Sequence, residues 1–178
     1  RVTMTPFSIR NLSADTNLLT AGIFWKNQGN CRCDIDLSMF GYDKNNELVS
    51  HIWYSHLTDR RGDKVLGVHS GDYTSGELAK DINGAVEYIM VDKNVLKEKG
   101  VHKIVFTING FNQPLDKVDD LRMIFSELSG DLNTTNFSNY YNHTHAPAFN
   151  GEIMDPVKMD LSYSLSCPDR SCISYMID

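Results

Sequence analysis

The sequence is short of cysteine, of positive charge and of long apolar runs, and each shortage removes a class of protein. Four cysteines in 178 residues are too few for a small secreted scaffold, which depends on dense cross-links because its core is small. No uninterrupted apolar stretch approaches the roughly 20 residues that a helix needs to cross a bilayer. Arg1-Val2-Thr3 lacks the basic and apolar regions of a signal peptide, so the expectation is a soluble, cytoplasmic protein without a membrane span. Lys and Arg number 17 against 23 Asp and Glu, a formal charge of -6. Binding to a phosphate backbone needs clustered cations, so nucleic acid is not an expected partner. The 41% hydrophobic and 22% charged residues are ordinary globular usage, enough for one domain with appendages. Arg in place of Met at position 1 suggests a piece of a longer chain or a processed product, and makes neighbouring domains of that parent chain candidate partners.

Short segments rich in Val, Ile, Phe, Tyr and Trp recur along the chain: 18–26, 33–39, 50–57, 65–68, 86–91, 103–109, 157–165 and 171–177. Between them stand turn-forming runs, Gly41-Tyr-Asp-Lys-Asn-Asn46, Asp59-Arg-Arg-Gly-Asp63 and Ser70-Gly-Asp72, whose residues tolerate tight or left-handed backbone. Strands at this spacing predict a mainly β protein, a two-sheet antiparallel β-sandwich. Residues 1–17 are expected to be a lead segment and residues 18–178 the sandwich domain. Leu115, Val118, Leu121, Phe125 and Leu128 fall at helical spacing, which predicts one amphipathic helix over about 115–129, opened by Pro114, closed by Gly130 and laid over a sheet. A shorter helical turn is expected over 93–99, stopped by Gly100. The Asn-rich stretch of about 130–151 reads as a long polar loop.

Asp34-Ile35-Asp36 puts two carboxylates on one face of a strand, roughly 6–7 Å apart. Like charges so placed call for solvent or for a hard cation with several oxygen ligands. A solvated outer face and a cation site both satisfy that demand. His69-Ser-Gly-Asp72, followed by Glu77, Asp81, Asn83, Gly84 and Glu87, is rich in oxygen donors without the spacing of an EF-hand, and fits either a polar connection or part of such a site.

Taken in order, Asp34-Ile-Asp-Leu-Ser38, Ile52-Trp-Tyr-Ser55, His69-Ser-Gly-Asp72, Asn83-Gly-Ala-Val-Glu-Tyr-Ile-Met-Val-Asp92 and Val101-His-Lys-Ile-Val105 resemble the TerD tellurium-resistance family over about residues 18–178, as a divergent member. The resemblance implies a β-sandwich from a bacterial stress-response family whose better known members bind calcium through acidic loops at one end. Asp34 and Asp36 match the family's Asp-x-Asp strand, and Gly71 and Asp72 its Gly-Asp turn. Of the family's Asp-Asp-Glu run only Glu87 keeps its place, with Ala85 and Val86 where two aspartates are usual. That substitution lowers the charge count on which affinity for a divalent cation depends. The implied calcium site is Asp34, Asp36, Asp72, Asn83 and Glu87.

Other signals are weaker. Cys31, Cys33, Cys167 and Cys172 would make a zinc site only if two strands adjoin, and neither spacing is the usual knuckle, so buried thiols are the expectation. Arg61-Gly-Asp63 reads as a hairpin turn, His143 and His145 as solvated loop residues, and the Asn-x-Ser/Thr triplets at Asn11, Asn133, Asn136 and Asn142 as compositional. No nucleophile elbow, phosphate loop or zinc-protease helix is present. Sequence therefore predicts a non-catalytic binding or assembly domain with a protein partner, calcium-binding through its acidic loops. The alternative is a metal-free interaction domain of a larger chain, in which Asp34 and Asp72 pair with a side chain such as Lys80 or cap backbone N–H groups.

Overall fold

A computed structural model describes residues 11–134, 145–149 and 152–178. The strands are β1 (Leu18–Lys26), β2 (Ile35–Tyr42), β3 (Leu48–Ile52), β4 (Thr58–Arg61), β5 (Lys64–His69), β6 (Ala85–Asp92), β7 (Lys103–Gly110), β8 (Asp119–Leu128), β9 (Ala148–Phe149), β10 (Glu152–Ile153), β11 (Leu161–Ser164) and β12 (Ser171–Ile177). A larger sheet runs β11-β8-β1-β6-β5-β4, a smaller one β12-β7-β2-β3, and β9 and β10 form a ribbon. Every pairing is antiparallel, and the two main sheets make the expected sandwich.

Alternation along β2 builds one wall of the core. Ile35, Leu37 and Met39 are buried, while Asp36, Ser38 and Phe40 are half-buried on the outer side. Opposite them, β1 and β6 are buried along almost their whole length, so both faces of the larger sheet are covered. One face meets the smaller sheet: a methyl placed on Gly67 would strike Ile52 of β3. The other is covered by the chain after β8, where Leu132, Ala146 and Met154 are buried and the Tyr88 hydroxyl donates to the Met154 carbonyl at 3.1 Å. The described parts of the stretch 130–151 are therefore packed and partly strand, not simply a polar loop. Its apolar residues are few but are the ones that meet the sheet. Asn136, Asn142 and His143 lie outside the described residues, as do the first ten of the lead segment.

The single α-helix among the described residues, α1 (Lys93–Lys99), stands where the short turn was expected. The Asp92 carboxylate accepts from the Asn94 and Val95 N–H groups, and Gly100 closes the helix at φ 84, both ordinary capping arrangements. The longer helix over 115–129 does not form. Leu115–Lys117 is a single 3-10 turn, and β8 follows. The helical reading rested on Leu115, Val118, Leu121, Phe125 and Leu128 and took no account of Met123 and Ile124. In the fold Leu121, Met123 and Phe125 line one side of β8, Ile124 and Ser126 line the other, and all five are buried. Asp120, at φ 50, also breaks any helix; its carboxylate takes Arg122 at 2.6 Å and Lys26 at 3.3 Å. A strand covered on both faces shows no clean period of two, so its apolar run passes for a helix.

The Arg61-Gly-Asp63 segment is a hairpin tip, with Gly62 at φ 62 between β4 and β5. Arg61 is tied to Glu98 of α1 at 3.1 Å. Among the described residues no helix is long and apolar enough to cross a membrane.

Candidate metal centre

Strand β3 pairs with β2 only from Met39 to Tyr42, so the first half of β2 has a free edge. A buried strand cannot leave its N–H and C=O groups unmet, and here side chains of the larger sheet supply the partners. Glu87 Oε2 accepts from the Leu37 N–H at 3.0 Å, and His69 Nε2 faces the Leu37 carbonyl at 3.2 Å. The other oxygen, Glu87 Oε1, accepts from the Tyr73 N–H at 2.9 Å, and the Gly71 N–H donates to His69 Nδ1 at 3.0 Å. With Nδ1 accepting, the ring proton belongs on Nε2, the tautomer that donates to Leu37. Both side chains have no exposed surface, and lie 3.6 Å apart.

Above this buried pair the acidic residues meet. Asp34 and Asp36 project from the start of β2, and Asp72 comes from the loop after β5, carried by Gly71 at φ 102. One carboxylate oxygen from each lies within 4.8 Å of the others, and all three residues are half-buried. Asn109 Nδ2 reaches Asp36 at 3.5 Å. Asn112 holds the approach to Asp34: its Oδ1 accepts from the Asp34 N–H at 3.2 Å, and its Nδ2 donates to the Arg32 carbonyl at 2.8 Å.

Crowding shows in the acid strengths. Burial, then the charges of Asp36 and Asp72, push Asp34 up to about 6, with Arg32 opposing. Burial and Asp72 also raise Asp36, against the hydrogen bond from Asn109. Glu87 is raised by burial against its two backbone N–H donors, while burial lowers His69 to about 4, leaving a neutral imidazole at neutral pH.

Of the five residues expected at a cation site, three converge and two do not join them. Glu87 lies beneath, with its oxygens given to Leu37 and Tyr73. Asn83 is exposed on the turn before β6, in the left-handed region at φ 50. No Lys or Arg among the described residues forms an ion pair with Asp34 or Asp36, and Lys80 is exposed. Sequence reasoning missed the partnership of His69 and Glu87. Its trace is a charged residue in the apolar run Ala85–Asp92, at a position whose alternates Ile89 and Val91 face the core.

The cysteines do not assemble. Cys31 is exposed, Cys33 buried, and Cys167 and Cys172 half-buried, all as free thiols. The acidic trio is the only group of three or more potential metal-ligating His, Cys, Asp or Glu among the described residues. His145 is exposed and 3.7 Å from Asp81. Two serine environments bear on catalysis. Ser70 Oγ accepts from the Tyr88 N–H while the ring nitrogens of His69 serve Gly71 and Leu37. Ser50 Oγ and Lys99 Nζ both donate to Asp59 Oδ2, so this serine sits beside a carboxylate already paired with a lysine.

Comparison with solved structures finds a homologue of the telluride resistance protein TerD from Streptomyces coelicolor A3(2), similar over 80% of this chain and 94% of that one, with a TM-score of 0.50 and 14% sequence identity. No family model and no curated protein matches the sequence. The fold is TerD-like.

Proposed function

We propose that this TerD-like domain is a non-catalytic binding module whose acidic rim takes a divalent cation, calcium in preference to others. The observation that carries the reading is the meeting of Asp34, Asp36 and Asp72, from segments more than thirty residues apart in sequence, with oxygens within 4.8 Å of one another. Calcium binds oxygen at about 2.3–2.6 Å, so one ion spans oxygens up to about twice that far apart. Three carboxylates supply the hard, anionic donors it prefers, and calcium tolerates irregular shells that magnesium does not. The raised pKa values of Asp34 and Asp36 reflect burial first and neighbouring carboxylates second, and a bound cation would offset both. Asp34, Asp36 and Asp72 would hold the ion, which supplies positive charge and a tie between loop and strand. The role is mechanical: it fixes the surface shown to a protein partner or to a neighbouring domain of the parent chain. We further propose a bacterial, cytoplasmic role in stress response of the tellurium-resistance type, a reading that the likeness of fold to the TerD homologue supports.

The metal-free alternative draws on different residues. Ala85 and Val86 supply no carboxylate, and Glu87 is already committed to backbone N–H groups. The two readings part on a melting experiment. Calcium at about three times its dissociation constant should stabilise the protein by about 0.8 kcal/mol, or roughly 2–3 °C in Tm, and Asp72→Asn should remove the shift. An unchanged melting curve at millimolar calcium would select the metal-free interaction domain.

A further inference from the structure

We infer that His69 and Glu87 are positioning residues, a buried cross-sheet brace that fixes the Asp72 loop against the Asp36 strand and so sets the spacing of the acidic rim. Each side chain has one end on β2 and the other on the loop. Glu87 joins the Leu37 N–H, next to Asp36, to the Tyr73 N–H, next to Asp72. His69 joins the Leu37 carbonyl to the Gly71 N–H, on the other side of Asp72. Asp72 is thus flanked by two anchored amides, and both anchors converge on one residue of β2.

The arrangement depends on the short reach of β3. Had β3 continued past Met39, its main chain would have been available to Leu37 and the loop would need another anchor. The two sheets are held together at this edge by carboxyl and imidazole hydrogen bonds in a site closed to water, where such bonds are strong and their loss is costly. Three carboxylates repel, and without a restraint on both sides the loop would move outward until solvent screened them. The brace opposes that movement before any ligand arrives, so less ordering remains to be done on binding.

The functional meaning rests on the cation reading above; the structural meaning rests on the hydrogen bonds alone. His69→Phe is the cleaner probe, because a neutral imidazole is replaced by a neutral ring of similar size and the charge of the rim does not change. Glu87→Gln keeps the volume but turns an N–H donor toward a backbone N–H. Both variants are compared with Ile124→Val, a core change on the far side of β8 from the brace, expected to cost about 0.5–1.5 kcal/mol. Calcium affinity is measured by calorimetry well below each melting point, and amide hydrogen exchange is measured without metal. The expected result is an affinity about ten-fold weaker in His69→Phe, unchanged in Ile124→Val. Exchange should be at least about ten-fold faster at Gly71 in His69→Phe and at Leu37 and Tyr73 in Glu87→Gln, with Ala21 and Ile23 of β1 still protected. Wild-type affinity in His69→Phe overturns the positioning role. If the wild type itself takes no calcium, the cation reading fails and the positioning role with it; exchange then judges the brace alone, which fails if those amides stay protected.

Discussion

Trp25→Ala should destabilise the protein by about 3–5 kcal/mol, the usual range for truncating a buried tryptophan, and lower Tm by roughly 6–20 °C. Trp25 has no exposed surface and lies near the end of β1, paired with Ala85 of β6. Its loss would open a cavity between the sheets that the neighbouring strands, hydrogen-bonded on both sides, cannot close. The indole has a second task. Its Nε1–H donates to the Cys33 carbonyl at 3.0 Å, while the Cys33 N–H donates to Asn27 Oδ1 at 2.9 Å, and the Gly76 N–H reaches that same oxygen at 2.8 Å. The residue immediately before Asp34 is therefore pinned from both sides. Trp25→Phe should retain most of the packing and cost about 1–3 kcal/mol, chiefly for a buried carbonyl left unmet. Urea titrations of the three proteins check both values. A loss under about 1 kcal/mol for the alanine variant would show that the core does not close around this ring.

Asp34→Asn should stabilise the metal-free protein by about 1.5 kcal/mol at pH 7.5, with the gain fading as pH falls. Asp34 is raised from 3.8 to about 6 on folding. A carboxyl with a raised folded value contributes stability below its unfolded value and loses it as pH rises through the folded one. Near pH 4 asparagine and protonated aspartate are then nearly equivalent, and above about pH 6 only the aspartate carries the repelling charge. The full shift would amount to about 3 kcal/mol, and half-exposure of the group halves it by solvent screening. The difference between the two proteins is the quantity to follow, because other groups titrate in the same window. His69, lowered to about 4, contributes stability above pH 6.5 that is lost as pH falls, the opposite slope, in both proteins alike. Denaturation midpoints at half-unit steps from pH 4 to 8 should show the two curves diverging upward. Parallel curves would mean that neither burial nor neighbouring charge perturbs Asp34.

Much of the fold was legible because its signals are local. Strand β1 and strand β12 fall on their expected residues, and α1 ends at Gly100 as expected. β8 was misread for the opposite reason: its partners β1 and β11 and the cover over its outer face come from distant parts of the chain, and they erase the alternation that marks a half-exposed strand. The covering role of residues after Gly130 was equally hidden, since Leu132, Ala146 and Met154 are isolated apolar residues among polar ones. At the rim, Asp34 and Asp36 announce themselves by spacing, and Asp72 by its glycine. That the three should meet follows from where β3 stops, a tertiary fact. Glu87 illustrates the limit best. Its match to the family's acidic run implied a ligand, but its place on an inward-facing strand position makes it a partner for backbone N–H groups instead.

The central claim is that the acidic rim holds a cation. Equilibrium dialysis against calcium, followed by elemental mass spectrometry of the protein, tests it most directly, with Asp36→Asn alongside. The account predicts about one calcium per chain in the wild type, as expected of a single carboxylate-lined site, and a clear loss in the variant. Wild-type protein with no calcium above the dialysis buffer, or equal calcium in both proteins, would contradict it.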